Sequence, residues 1–332
     1  MHMVNLTGSY YEMGRAYGKV LKGVGFRLPP RSQRGLRLGL ECRDIVETVF
    51  PEILEEISGT ADEAELSYDG LCAFVLAHPM MLNEPPGCTM FAAHKEDQTW
   101  MGRNYDMYYT LKDHLESYYT DPAGGYRSLG QSDIFVGRED GVNERGLGVA
   151  MSGITAYFAP GINFWVSIRY ILDRCRDVEE AVNYLEEARH HCTITVLVAE
   201  SSGKMAVVET SPTMTRVRWP DAGHIVSTNH FNHPEMVKMK MFEPPDSRPR
   251  YDRCVELLSA AEGPDETLIK GILSDHVGLV CSHRDEIGLG TLWSTVTHLN
   301  TLRVWRAEGH PCTSPYAEDT RLRKGQLHGP VP

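Results

Sequence analysis

The sequence has no C-x-x-C pair, no G-x-S-x-G elbow, no Walker-type phosphate loop and no G-x-G-x-x-G fingerprint. Serine-elbow hydrolysis and the common nucleotide-binding loops therefore have no motif to rest on. Basic clusters are also missing. The formal net charge is −12, and an acidic chain repels phosphate backbones and anionic lipid, so no nucleic-acid or membrane partner is expected. Long hydrophobic runs are absent. The longest, 71–82, is interrupted by His78 and Pro79 and falls short of the ~20 residues that a membrane span requires. Met1-His2 reads as a short addition ahead of a native Met3. Residues 5–19 are polar and lack the apolar stretch of a signal peptide, so a soluble, cytoplasmic protein is expected. Internal repeats and low-complexity segments are missing too.

What is present is ordinary globular composition: 332 residues, 42% hydrophobic and 23% charged, enough for one large domain or two small ones. The eight cysteines, Cys42, Cys72, Cys88, Cys175, Cys192, Cys254, Cys281 and Cys312, are scattered. Their spacing predicts neither disulfide staples nor a zinc framework, and all but Cys88 read as small buried hydrophobes. The first 87 residues read mostly helical, over 11–22, 37–57 and 68–82, and Pro85-Pro86-Gly87 stops the helical run. Strands follow: a hairpin over 88–93 and 99–107, a strand at 147–151 after the turn 143–146, a hairpin over 193–200 and 205–210, strands at 215–219 and 224–228, and a hairpin over 292–297 and 302–307. Helices are expected at 163–175, from the Asp177/Glu180 capping box to about 190, and at 250–261 and 265–274. The stretch 243–249 reads as a loop, and the tail after Pro315 as weakly ordered. Antiparallel strands alternating with pairs of helices suggest helix layered over sheet.

Chemistry is most legible at Gly87-Cys88-Thr89. Cysteine is the strongest side-chain nucleophile but needs a base. Cleavage after Gly87 would place an α-amine, with a pKa of ~7.7–8.0, on the same residue as the thiol. Glycine before the cysteine leaves that carbonyl open to attack. If the hairpin turn centres near Glu96, Cys88 faces Asn104, and the second strand brings Arg103 and Asp106 back to the same end. A cation beside a thiol lowers its pKa, and a carboxylate can hold an ammonium. The plain alternatives are a cysteine that merely starts a strand, and a weak surface ion pair between Arg103 and Asp106. His190-His191-Cys192 and His230-x-x-His233 lack the acids and spacing of a metal site and read as structural histidines. The methionines of 236–241 read as packing.

Five further segments fit one pattern. They are Gly102-Arg103-Asn104-Tyr105-Asp106, Asn143-Glu144-Arg145-Gly146-Leu147-Gly148-Val149-Ala150, Ser227-Thr228-Asn229-His230-Phe231, Ser247-Arg248-Pro249-Arg250-Tyr251 and the opening Gly8-Ser9-Tyr10-Tyr11-Glu12-Met13-Gly14. With Cys88-Thr89 they resemble, in order and over nearly the whole chain, the N-terminal-nucleophile hydrolases of the choloylglycine hydrolase and penicillin acyltransferase family, nearest the acyl-CoA:6-aminopenicillanic acid acyltransferase branch. The resemblance implies an α+β fold, an αββα sandwich of two antiparallel sheets between helical layers. It implies a propeptide over 1–87, a catalytic domain over 88–332 and autocleavage between Gly87 and Cys88. Cys88 is then the nucleophile, Arg103 and Asp106 assist it, Asn229 and a backbone N–H near Gly153 form the oxyanion hole, and Arg250 completes the polar site. One departure stands out: Met151-Ser152-Gly153-Ile154 lacks the asparagine that the bile-salt branch carries at the Gly153 position.

The implied reaction is attack on a linear, non-peptide amide through a thioester acyl-enzyme, with no metal or organic cofactor. The small-molecule partner is an acyl amide or acyl thioester, with an amine acceptor if the enzyme is an acyltransferase rather than a hydrolase. A non-catalytic binding protein on the same fold, a metal-dependent hydrolase and a homo-oligomeric state all stay open at this point.

Overall fold

The computed structural model describes residues 1–77, 87–154, 158–239 and 241–324. Strand β1 (His2–Gly8) leads into α1 (Tyr10–Gly23), whose start is closed by a capping box between Ser9 and Glu12. The single helix expected over 37–57 is two, α2 (Gln33–Val49) and α3 (Pro51–Ala64). Pro51 lacks an N–H and bars the helical region to the residue before it, so Phe50 sits at φ −143° and ψ 63°. Helix α4 (Tyr68–Leu76) stops earlier than expected, with Ala77 as its C-cap. The Pro85-Pro86 break lies outside the described residues.

β2 (Gly87–Lys95) and β3 (Gln98–Tyr108) form the expected hairpin. Its turn is Glu96-Asp97, with Glu96 at φ 48°, the positive φ that a tight two-residue hairpin demands. The register pairs Cys88 with Tyr105 and Gly87 with Asp106. This is one step from the expected Cys88–Asn104 pairing, and one step exchanges faces. Next come β4 (Glu116–Pro122), β5 (Ser128–Ser132), β6 (Asp140–Asn143) and β7 (Leu147–Gly153). The sequence did not announce β4 and β5. All five residues of β5, SLGQS, are buried, so it carries no apolar–polar alternation.

Helices α5 (Phe164–Arg174) and α6 (Val178–Glu187) are capped by Asn163 and Asp177. Glu180 takes the Arg176 N–H instead of the Asp177 N–H, so the expected reciprocal box is displaced by one residue. Strands β8 (Ile194–Glu200), β9 (Met205–Ser211), β10 (Met214–Arg218) and β11 (His224–Ser227) follow, then α7 (Pro234–Val237), α8 (Ser247–Ala260) and α9 (Glu266–Leu273). The chain closes with β12 (His283–Arg284), β13 (Leu289–His298), β14 (Arg303–Glu308), β15 (Ala317–Asp319) and α10 (Arg321–Lys324). The segment after Pro315, expected to be weakly ordered, thus adds an edge strand to β14, and Asp319 accepts from Arg306 and Arg321.

Two sheets result, ordered β1-β4-β5-β6-β7-β8-β9-β10 and β11-β2-β3-β13-β14-β15, with β12 beside β13. Among the described residues, every pairing between named strands is antiparallel except β1 with β4, which is parallel. Met90, Ala92, Met101, Leu129, Val142, Ala150 and Leu197 pack between the sheets. Ile168, Leu172, Val182 and Leu185 of α5 and α6 cover the first sheet. Cys254, Leu258, Ile269 and Leu273 of α8 and α9 cover the second. This is the αββα layering. The N-terminal helices form their own cluster around Met13, Phe50, Ile53 and Ile57, closed on the main body by Tyr118, Phe135 and Val166. No described helix is long and apolar enough to cross a membrane.

Candidate active site

Strand alternation sorts the hairpin's side chains into two groups. Met90 and Ala92 face the other sheet, while Phe91 and Ala93 face α8 and α9. Cys88 shares the first face with its partner Tyr105 and with Arg103, which pairs with Met90. Asp106, Asn104 and Thr89 share the second. Arg103 and Asp106, both expected at the nucleophile's end of the hairpin, therefore approach Cys88 from opposite faces of one sheet.

On the inter-sheet face, the Arg103 guanidinium lies 3.9 Å from the Cys88 sulfur and donates to Asp140 at 2.8 Å and Glu139 at 3.2 Å. Tyr105 stacks on Trp293 with ring centres 3.8 Å apart, and Arg103 lies against both rings. Trp293 donates to Asp140, Tyr105 donates to Asp133, and Trp165 donates to Glu139. Cys88 is only 1% exposed. Burial pushes its thiol up to about 11, with Asp106 and Glu139 adding to the shift, and Arg103 offsets only part of it. The low thiol pKa expected from a neighbouring cation is not found, because burial outweighs the pull of that cation.

On the helix face, Asp106 accepts from Thr291 at 2.6 Å through one oxygen, while its other oxygen has no hydrogen-bond partner among the described residues. Burial lifts this carboxyl to about 6 against the opposing pull of Arg250 and Thr291. A Cβ at Gly87 would stand 2.7 Å from the unpartnered oxygen, so glycine is what lets the chain pass. Asn104 donates to the carbonyls of Leu273 and Val280 and ties β3 to the end of α9.

Asn229 and Arg250 converge on the backbone of Cys88. The Cys88 N–H donates to Asn229 Oδ1 at 2.8 Å. Arg250 donates to the Cys88 carbonyl at 2.5 Å, to Thr89 Oγ1 at 3.1 Å and to Asn229 Oδ1 at 2.8 Å. Two donors on Oδ1 fix the amide orientation, so Nδ2 points at the Gly153 carbonyl, 2.8 Å away. An amide nitrogen carries two hydrogens, so one remains available. Gly153, expected as a backbone donor, meets Asn229 through its carbonyl. Ser247 accepts from the Asn229 N–H at 2.9 Å and bonds Thr228 and His230, fixing the loop after β11.

The sequence reading missed Glu139, Asp140, Tyr105, Trp293, Ser247 and Thr291. Most of their partners are distant in the chain, 37 residues for Arg103 and Asp140, 153 for Trp293 and Asp140, and 185 for Thr291 and Asp106, a pairing that no local spacing announces. Ser247 was inside a quoted segment, but only the loop geometry assigns it a task.

The histidines weighed as ligands are bonded otherwise. His190 bonds the Leu185 carbonyl, His191 the Ala159 carbonyl and His230 Ser247, while His233 caps α7. Among the described residues one other group has metal-ligand character, His276, Cys281, His283 and Cys312. A cavity of about 860 Å³ lies beside the apolar cluster of Cys88, Tyr105 and Met107 and is walled by Tyr17, Phe26, Met107, Asp133, Phe135 and Trp165.

A family model described as acyl-coenzyme A:6-aminopenicillanic acid acyl-transferase matches residues 93–312. The match includes Arg103, Asp106, Asn229 and Arg250 and begins just after Cys88. Beta-alanyl-dopamine/carcinine hydrolase of Drosophila melanogaster is 26% identical over 134 residues, 34% of this chain and 34% of that protein. The chain thus spans about a third of that relative's length. A mutant conjugated bile acid hydrolase from Clostridium perfringens superposes with a TM-score of 0.54 at 17% identity, over 70% of this chain and 96% of the other. Penicillin V acylase from Agrobacterium tumefaciens gives 0.50 at 19%, over 70% and 85%. At such identities the likeness is one of fold.

Proposed function

The chain belongs to the acyl-coenzyme A:6-aminopenicillanic acid acyl-transferase family, an enzyme family, and from that premise we propose a cytoplasmic cysteine amidohydrolase that acts on linear non-peptide amides after cutting its own chain between Gly87 and Cys88. The observation that carries the reading is convergence on one residue. Asn229 and Arg250 hold the N–H and C=O of Cys88 while Arg103 stands at its sulfur.

In the maturation step the Cys88 sulfur adds to the Gly87 carbonyl carbon. The C–N bond to Cys88 breaks, its nitrogen takes up a proton, and a thioester forms. Water hydrolyses the thioester, leaving a Gly87 carboxylate and a free Cys88 amine. That amine inherits the hydrogen bond to Asn229. Departure of Gly87 also opens the ground in front of Asp106, and once the new amine has taken up a proton its ammonium would give the buried carboxylate a further counter-charge. Residues 1–87 thus act as a pro-segment and 88–332 as the catalytic domain.

In turnover the thiol adds to the substrate carbonyl and passes its proton to the α-amine. The oxyanion is met by the spare Asn229 hydrogen and by a backbone N–H near Gly153. The α-amine protonates the leaving amine, and water releases the acid from the thioester. The scheme uses only side chains, backbone and water. Asp113, Glu116 and Asp133 in the cavity lining suit a substrate with a cationic group. The second reading, acyl transfer to an amine in place of water, is favoured by the description of the matched family.

N-terminal sequencing and intact mass of active preparations test the proposal. The large fragment should begin Cys-Thr-Met-Phe, and Asn229→Ala should lower turnover by ~10²–10³-fold. Full activity from a wholly intact chain would overturn it, and a chain that never opens and turns nothing over would be the binding protein. An acyl thioester offered with an amine acceptor separates the two enzymatic readings by the ratio of transfer to hydrolysis.

A further inference from the structure

Four side chains that the sequence spacing did not connect meet behind the second sheet. His276 follows α9, Cys281 and His283 flank Ser282 at β12, and Cys312 lies in the loop after β14. Their ligand atoms all lie within 4.8 Å of one another. His283 Nε2 is 3.4 Å from the Cys281 sulfur and 3.3 Å from the Cys312 sulfur. A tetrahedral zinc with Zn–S of ~2.3 Å and Zn–N of ~2.0–2.1 Å has N···S edges of about 3.5 Å, so these two spacings match edges of such a shell, which a small inward turn of the remaining ligand would close. We propose that His276, Cys281, His283 and Cys312 bind one zinc ion in a closed tetrahedral site.

The donor set selects the metal. Two thiolates with two imidazoles are a soft set that suits zinc in preference to magnesium or calcium. Thiolate charge balances the dication. Surrounding groups orient the ligands, as metal sites require. The His310 ring stacks on His283 with centres 3.9 Å apart, and Tyr109 bonds His310 at 3.3 Å and also Asp285. Four protein ligands leave no open position, so the ion is structural and takes no part in attack on substrate.

Its place in the fold says what it braces. Ser282, between two ligands, donates to Thr291 Oγ1 at 3.0 Å, and Thr291 donates to Asp106. Val280, next to Cys281, accepts from Asn104. The ion would fix the segment from α9 to β13 against the strand that carries Asp106, and would tie the loop after β14 to it through Cys312.

The test uses the full chain. After dialysis against metal-free buffer, elemental analysis should find one zinc per chain in the parent and in Cys88→Ala. Cys312→Ser and His276→Asn, with normal circular dichroism, should lose it and melt lower. Should those variants misfold, the parent itself decides. The zinc-stripped parent titrated with cobalt(II) should show intense visible d–d bands of tetrahedral cobalt and a thiolate-to-cobalt charge-transfer band. Absence of both zinc and cobalt bands overturns the proposal. So does a Cys281–Cys312 disulfide in metal-free protein, or zinc retained in full by both folded variants. Loss of zinc in Cys88→Ala would move the metal to the nucleophile and overturn it as well.

Discussion

Cys88 has a cation at 3.9 Å, yet burial away from water keeps its proton on, and Arg103, which is also paired with Asp140 and Glu139, offsets only part of that effect. Opening the chain would add an amine and remove one wall. In a preparation holding both species, brief iodoacetamide treatment at pH 8 should alkylate Cys88 in the 88–332 fragment and spare it in the intact chain, as read by mass spectrometry. Equal labelling of both would show that burial does not protect the thiol. Asp106 carries the opposite strain. Its carboxyl sits at about 6 in the fold and ~3.9 when unfolded, so the folded state binds more protons between those values. The buried charge costs nothing below pH ~4, costs progressively more as pH rises, and reaches on the order of 3 kcal/mol above pH ~6. In a Cys88→Ala background, which cannot open, Asp106→Asn should raise the urea midpoint at pH 7.5, and the gain should vanish near pH 4. An unchanged or lower midpoint at pH 7.5 would mean that Asp106 is already compensated in the precursor.

The hairpin of β2 and β3 positions both groups, and its two-residue turn decides which face each takes. A turn centred half a residue away would exchange the faces of Cys88 and Thr89. At the open end of the hairpin, Gly87 passes under the Asp106 carboxylate with no room for a methyl group. Gly87→Ala should therefore splay the last β2–β3 pair, cost ~1–3 kcal/mol and slow self-cleavage. The fraction opened over time, followed on denaturing gels, measures it. Parental cleavage kinetics with parental stability would show that the strand end yields freely.

Across the molecule the N-terminal segment is built in rather than appended. β1 pairs with β4, and α3 contributes Glu56 to a fully buried pair with Arg169 at 2.9 Å. Tyr10 bonds Asp173 and Tyr17 bonds Glu116. Removing one member of a buried pair costs ~3–5 kcal/mol, so shedding the segment would expose several such groups at once. Fragments 1–87 and 88–332 should co-elute in native size exclusion and separate only in denaturant. Loss of the small fragment on a native column would contradict this. Tyr17 and Phe26 also wall the cavity, so the segment would shape the substrate space after maturation.

Local signals determined a good deal. Prolines, caps and alternating hydrophobics located most helices and the principal hairpins, since those rest on contacts within a few residues. The ordered motifs pointed to Cys88, Arg103, Asp106, Asn229 and Arg250, and the fold does bring these five together. Strand β5 stayed hidden because a strand buried on both faces loses its alternation. Only tertiary structure set the hairpin register, which depends on a half-residue shift of one turn. Only tertiary structure paired Arg103 with Glu139 and Asp140 and left Asp106 half-satisfied, because burial and long-range partners fix a pKa. The same holds for His276, Cys281, His283 and Cys312, which span 37 residues and meet only where α9, β12 and the loop after β14 fold to one point.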